Sequence, residues 1–215
     1  TDLYEVCIIG ITKEGAWKWI ESPACIKDGS WIREGCQVVP VPDAGSGTFL
    51  LFEGETPRKI SVDAVFPVLH GMNGEDGTIQ GLFELMKIPY VGCGVIASSC
   101  AMDKFYTKVL VDSIGVRQAA YVGLRRRELK DMDEAIGKVE KEIPYPVFVK
   151  PSKAGSSQGV SCACDKEELR RALLLAAEHD SKILVEEKIV GRELECAVLG
   201  GHDEVKASGV GEILA

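Results

Sequence analysis

Val147-Phe148-Val149-Lys150-Pro151-Ser152-Lys153-Ala154-Gly155-Ser156-Ser157-Gln158-Gly159-Val160 opens as a short apolar strand and ends where the apolar pattern resumes. Between the two, Pro151 breaks the strand and the chain runs through small, flexible, hydrogen-bonding residues. A strand that carries a lysine into a Gly/Ser loop can hold phosphate. Backbone N–H groups turn inward where side-chain bulk is small, hydroxyls add donors, and Lys150 adds a point charge. The Gly-x-x-x-x-Gly-Lys-Ser/Thr spacing of a Walker loop is absent. Taken alone, the loop reads as an ordinary turn, and the surrounding chain has to decide.

Outward from this stretch, the segments read as alternating strands and helices. Tyr145-Pro146 leads into the strand 147–150, and 159–164 is expected to return beside it as a hairpin. Upstream, 118–122 reads as a strand and 128–142 as a charged amphipathic helix. Downstream, Asp165-Lys166-Glu167-Glu168 is a capping-box-like start to a helix over 166–179, with Leu169, Ala172, Leu173 and Ala176 on one face. A strand from Lys182 ends in Glu186-Glu187, and 194–199 with 204–213 form a second hairpin. Together the first hairpin and the Glu186-Glu187 strand would enclose a slot. Lys150 supplies charge there, and the carboxylates are acceptors suited to an exocyclic amine and a ribose.

The first half of the chain carries a second loaded stretch. Val62–Leu69 is strongly apolar and reads as a central parallel strand. It runs into His70-Gly71-Met72-Asn73-Gly74-Glu75-Asp76-Gly77-Thr78-Ile79-Gln80-Gly81. Loops at the carboxyl ends of parallel strands are where open α/β sheets bind ligands. Glycines at 71, 74 and 77 let backbone amides approach a ligand. An imidazole with a carboxylate five residues on is a proton handler or a carboxylate binder; the bland alternative is a strand cap followed by turns. Asp76 or Thr78 is placed to cap a helix over 79–87, and 88–92 is the next strand. Strand, helix and strand in this short span make a βαβ unit and hence a parallel sheet. Earlier, 6–10 is a strand that turns back at Gly15, and 22–60 is expected to be irregular with one hairpin (37–41 with 48–52). Trp17, Trp19 and Trp31 are read as cover for a core edge. Asp103 caps a helix over 104–114. Lys104 in its first turn opposes the helix dipole, which hints at a role beyond the helix.

Composition narrows the function classes. At 215 residues the chain is long enough for one large or two small domains with a true core. A net charge of −8 disfavours nucleic acid as a partner, because neutralising phosphates takes a basic face. The densest basic run, Arg125-Arg126-Arg127, reads as a solvated helix start. No run of about 18 apolar residues and no basic-then-apolar leader occur, so neither a membrane span nor secretion is expected. The eight cysteines are scattered without a Cys-x-x-Cys. Cys162 and Cys164 share one strand face but have no second ligand pair, so reduced thiols in a cytoplasmic protein are expected and a metal centre is not.

Four stretches in this order resemble the D-alanine–D-alanine ligase family, enzymes of the ATP-grasp fold. They are His70–Gly81, Met102-Asp103-Lys104, Lys150–Gly159 and Glu186-Glu187-Lys188-Ile189-Val190-Gly191-Arg192-Glu193. The resemblance implies an α/β fold: a parallel-sheet, Rossmann-like N-terminal substrate domain (1–102), an α+β central ATP-grasp subdomain (103–200), and the start of a C-terminal region (201–215). It implies a ligase that joins two D-alanines through an acylphosphate for peptidoglycan synthesis. ATP and Mg²⁺ would be its cofactors, the cytoplasm its location and a homodimer its assembly. Position by position, Lys104 and Lys150 would contact the ATP phosphates, and Gly155, Ser157 and Gly159 would close over them. Ser156 would help lock the substrate loops. Glu186 would accept from the adenine amine, Ile189 would meet the ring through its backbone, and Glu193 would hold the ribose. Glu187 stands where many members carry lysine. His70, supported by Glu75, would sit at the first D-alanine.

The departures from the family pattern are at the ends. Its first strand with a Gly-rich, Glu-bearing loop has no counterpart here, and neither does its last third, which carries an arginine and the acid/Asn cluster for Mg²⁺. The expectation is therefore a part of a longer ligase, incomplete for catalysis. A D-Ala–D-Ser or D-Ala–D-lactate ligase, another ATP-grasp carboxylate–amine ligase and a non-catalytic nucleotide-binding module are the alternatives.

Overall fold

The computed structural model describes residues 3–155, 158–201 and 203–214. The chain divides into two compact units, Thr1–Thr107 and Lys108–Ala215.

In the first unit, β1 (Ile8–Ile11) turns back into β2 (Trp17–Ile20). The turn is closed by Gly15 N–H donating to Thr12 O at 2.9 Å. Two short helices follow, α1 (Pro23–Asp28) and α2 (Trp31–Glu34). Then come β3 (Gln37–Pro40), β4 (Thr48–Phe52) and β5 (Arg58–Ser61). The five strands form one sheet in sequence order, every neighbour antiparallel. Helix α3 (Thr78–Met86) lays Ile79, Phe83 and Met86, spaced one helical face apart, on Val38, Phe49 and Leu51 of the sheet. Burying such side chains stabilises by about 1.5–3 kcal/mol each. Trp17 stacks on Phe49 at 6.4 Å between ring centroids, and Trp17 and Trp19 cover this core's edge as expected. Helices α4 (Val95–Met102) and α5 (Lys104–Ser113) follow, and the division between the units falls inside α5.

The expected parallel sheet needs correction here. The βαβ connection exists, but its parallel pairing is a single bridge between Val65 and Tyr90. Val65 N–H donates to Pro89 O at 2.8 Å, and Val91 N–H donates to Val65 O at 2.9 Å. Phe66 and Val68, read as interior residues of a central strand, are 73% and 71% exposed. Helices α1 and α2 and strand β5 replace much of the irregular structure expected over 22–60.

In the second unit, β6 (Tyr121–Arg125) leads through a 3₁₀ turn (Arg126–Lys130) into α6 (Met132–Glu142). Strands β7 (Val147–Pro151) and β8 (Ser161–Ala163) form the expected hairpin around the Gly/Ser loop. Helix α7 (Lys166–His179) and strand β9 (Lys182–Glu187) follow, then β10 (Glu193–Gly200) and β11 (Val205–Ile213), paired with each other. The main sheet has the order β6-β9-β7-β8, again antiparallel throughout. Val147, Val149, Ala163, Ile183 and Val185 project from it into one core with Ile136 and Val139 of α6 and Leu169, Leu173 and Ala176 of α7. Because strand side chains alternate, Phe148, Lys150 and Glu186 are sent to the face away from those helices. The core thereby fixes the site.

Candidate active site

Four strands present one row of side chains. Tyr121 of β6 lies opposite Glu186 of β9, Glu186 opposite Phe148 of β7, and Phe148 opposite Cys162 of β8. Lys150 is two residues beyond Phe148 and therefore diagonal to Glu186, within reach of a long side chain. Its Nζ pairs with Glu186 Oε2. The other oxygen, Oε1, is held by Lys108 Nζ at 2.7 Å. Lys108 belongs to α5, one turn after Lys104. Its ammonium also lies 3.4 Å from Ala119 O and 5.6 Å from the centre of the Tyr121 ring. Lys150 stands 5.8 Å from the centre of the Phe148 ring. Asp112, one turn beyond Lys108, accepts from Tyr121 Oη at 2.6 Å and from Gln118 Nε2 at 2.5 Å, which ties the start of β6 to α5.

Charge accounting follows from this geometry. Glu186 is only 7% exposed. Burial by itself pushes its carboxyl up, but the hydrogen bonds and charges of Lys108 and Lys150 outweigh burial and hold it below 4.5. The hydrogen bond to Asp112 pushes the Tyr121 phenol up to about 12. One carboxylate between two ammonium groups leaves a net positive charge at the end of β7 where the Gly/Ser loop departs. The cluster offers a buried acceptor and two cations beside the Tyr121 and Phe148 rings.

The loop is anchored at both ends. Ser152 N–H donates to Lys182 O at 3.0 Å, and Lys153 N–H to Asp180 Oδ2 at 2.9 Å. Within the loop, Gln158 N–H donates to Gly155 O at 3.2 Å. Gly159 has φ 68° and sits against the His179 ring and Pro151; a Cβ there would lie 2.9 Å from Pro151 Cγ. Glycine is thus required by both backbone and packing. Ser156 and Ser157 lie outside the described residues.

Glu187, Ile189 and Glu193, also expected at the site, are not among the residues that pair with Glu186. Glu187 turns to the backbone: its Oε1 accepts from Ala120 N–H at 2.9 Å while its own N–H donates to Ala120 O at 3.0 Å. Ile189 is 65% exposed, and Glu193, at the start of β10, is exposed. Lys104 begins α5, behind Asp103, whose Oδ1 accepts from Tyr106 N–H at 3.4 Å.

The His70–Gly81 stretch, in the first unit, folds as a nested turn. Glu75 Oε2 accepts from Gly71 N–H at 2.5 Å, and its Oε1 lies 3.9 Å from Nδ1 of the exposed His70. Asp76 accepts from Asn73 and Thr78 N–H, each at 3.0 Å. Burial raises the Asp76 carboxyl, but these amides more than offset it and leave it lowered. Gly77, at φ 92°, lets Ser99 of α4 reach Asp76 O at 2.8 Å. Gln80 is buried and donates to Gly74 O at 2.9 Å. Asp76, Gly77 and Gln80 make the scaffold that holds His70 and Glu75 at the surface.

An open cleft of about 400 Å³ lies at the other end of the β6–β9 pair, lined by Arg125, Arg126, Arg127, Lys130 and Ser181. It is a rim of solvated cations with no carboxylate acceptor, so the Lys–Glu–Lys cluster is the stronger candidate. Among the described residues no group of three or more His, Cys, Asp or Glu side chains is arranged to hold a metal ion.

Two family models match the chain, D-ala D-ala ligase N-terminus over residues 1–93 and D-ala D-ala ligase C-terminus over residues 110–215. The chain belongs to the D-alanine–D-alanine ligase family. A D-alanine–D-alanine ligase of Acetivibrio thermocellus is 48% identical over 99% of this chain and 60% of its own length. One of Bacillus velezensis is 52% identical, again over 99% of the chain and 60% of the relative. Among solved structures, the VanG D-Ala:D-Ser ligase from Enterococcus faecalis superposes with TM-score 0.89 at 40% identity, covering 99% of this chain and 61% of that one. The chain therefore spans about 60% of the length of the curated ligases it matches.

Sequence reasoning named Lys150 and Glu186, which the sheet brings together, and His70 and Glu75, which lie near each other; it did not name Lys108, Asp112 or Tyr121. The signal for Lys108 is its spacing of four from Lys104, which puts both on one helical face.

Proposed function

We propose that this chain is part of an enzyme that uses ATP to join two D-alanines. One D-alanine carboxylate attacks the γ-phosphorus of ATP, giving an acylphosphate and ADP. The neutral amine of the second D-alanine then attacks the acyl carbon, the amide forms, a proton leaves the nitrogen, and the C–O bond to phosphate breaks. Phosphoryl transfer of this kind is mainly positioning and charge neutralisation. The observation that carries the reading is the buried Glu186 pinned between Lys150 and Lys108 at the mouth of a glycine-bearing loop.

In this reading the adenine lies on the Tyr121–Phe148 side of the sheet, with its amine donating to Glu186. Lys150 turns from Glu186 to the phosphates, Lys104 adds a second cation, and the loop from Gly155 to Gly159 closes over them. Ile189 meets the ring through its backbone and Glu193 the ribose. His70, beside Glu75, receives the first D-alanine. Mg²⁺ supplies phosphate charge neutralisation when bound, but the described residues do not make a centre for it.

A second reading is a D-Ala–D-Ser ligase, favoured by the likeness to the VanG D-Ala:D-Ser ligase. The test, on the whole enzyme of which this chain is part, is phosphate release from ATP in the presence of Mg²⁺ and D-alanine, with D-serine and D-lactate as alternative second substrates. Release that requires D-alanine and is not supported by L-alanine is expected. Release indifferent to both amino acids would sink the ligase reading.

A further inference from the structure

Lys150 and Lys108 hold different oxygens of the same buried carboxylate, from different elements. Lys150 is the last residue but one of strand β7, next to the loop, so it is the lysine that can turn to a phosphate. Lys108 is 14% exposed in its side chain, and its ammonium also faces Ala119 O and lies 5.6 Å from the centre of the Tyr121 ring. It lies in the middle of helix α5. Once Lys150 leaves, Lys108 would be the one cation on Glu186 among the described residues, and a buried carboxylate without its last cation gains a proton instead.

The protonation state matters for what Glu186 recognises. An ionised carboxylate only accepts, so it favours a 6-amino purine and repels the carbonyl of a 6-oxopurine. A protonated carboxyl can donate and would accommodate that carbonyl. Resting on the nucleotide reading above, we infer that Lys108 is a positioning residue that keeps Glu186 a pure acceptor and thereby sets the preference for adenine over 6-oxopurines. Lys108 itself touches neither the base nor the reacting atoms.

Calorimetric titration of the protein with ATP and with inosine triphosphate, both with Mg²⁺, tests this. Wild type should prefer ATP. Lys108→Met keeps an unbranched apolar stem without the charge and should weaken ATP by about tenfold or more, while inosine triphosphate changes less than about twofold, so the selectivity ratio collapses. Lys108→Arg should retain the ratio. Should Lys108→Met not fold, Lys108→Gln keeps a donor without the charge and asks the same question. A parallel loss of both nucleotides, or an unchanged ratio, overturns the inference and leaves the nucleotide reading standing. Wild type that binds neither nucleotide overturns that reading and this inference with it.

Discussion

Glu186 shows how much one residue can depend on its neighbours. Its carboxyl is held below 4.5 because two lysines outweigh its burial. The folded value is lower than the unfolded one, so the pairing contributes its full stability above about pH 4.5 and loses it as pH falls through the folded value. Denaturant melts across that window should show a steep acid limb, and Glu186→Gln should flatten it. Identical acid limbs in the two proteins would contradict the pairing. The sequence places Glu186 and Lys150 in one slot because their strands are short and their spacing is local. It hides Lys108, since the contact joins residues 78 positions apart and only the β6–β9 pairing brings α5 to Glu186.

At the scale of elements, local chemistry was legible and partner choice was not. Helix α7 begins and ends where its cap signal places it: Asp165 accepts from Glu168 N–H at 2.8 Å. The same logic applied to Asp131-Met132-Asp133-Glu134 would have split the helix expected over 128–142. Asp131 accepts from Glu134 N–H at 3.0 Å, and the residues before it form a 3₁₀ turn. Strand β5 escaped notice because Arg58-Lys59-Ile60-Ser61 has one apolar residue and is an edge strand. Val62–Leu69 misled in the opposite way: an apolar run states a preference for burial but not which strand, if any, will pair with it. The β7–β8 hairpin carries its own test. Gly159→Ala puts a Cβ against His179 and Pro151 at a positive φ, which costs about 1–2 kcal/mol from the backbone alone. The thermal midpoint should fall and ATP affinity should drop, because the end of the loop at Gly159 moves. A variant with wild-type midpoint and affinity would show that the loop's position is not set there.

Across the whole molecule, stability is unevenly distributed. The helix-covered sheet of the second unit is its most buried part, and Leu173 is fully buried in it. Leu173→Ala should cost about 2–5 kcal/mol, read from a denaturant melt; a loss near zero would mean that the cavity collapses. By contrast, every described residue of β10 and β11 is exposed, including Leu194, Val198, Leu199, Val205 and Val210. A two-stranded ribbon is marginal alone, so its amides should exchange with solvent faster than those of β7 and β9, as hydrogen-exchange mass spectrometry would show. Equal protection would contradict this distribution. The central claim is that the Lys150–Glu186–Lys108 face of the second unit binds ATP. Calorimetric titration of wild type, Lys150→Ala and His70→Ala with MgATP tests it most directly. One saturable site in wild type and His70→Ala, weakened at least about tenfold in Lys150→Ala, is the predicted result; equal affinity in all three, or no binding to any, would contradict it.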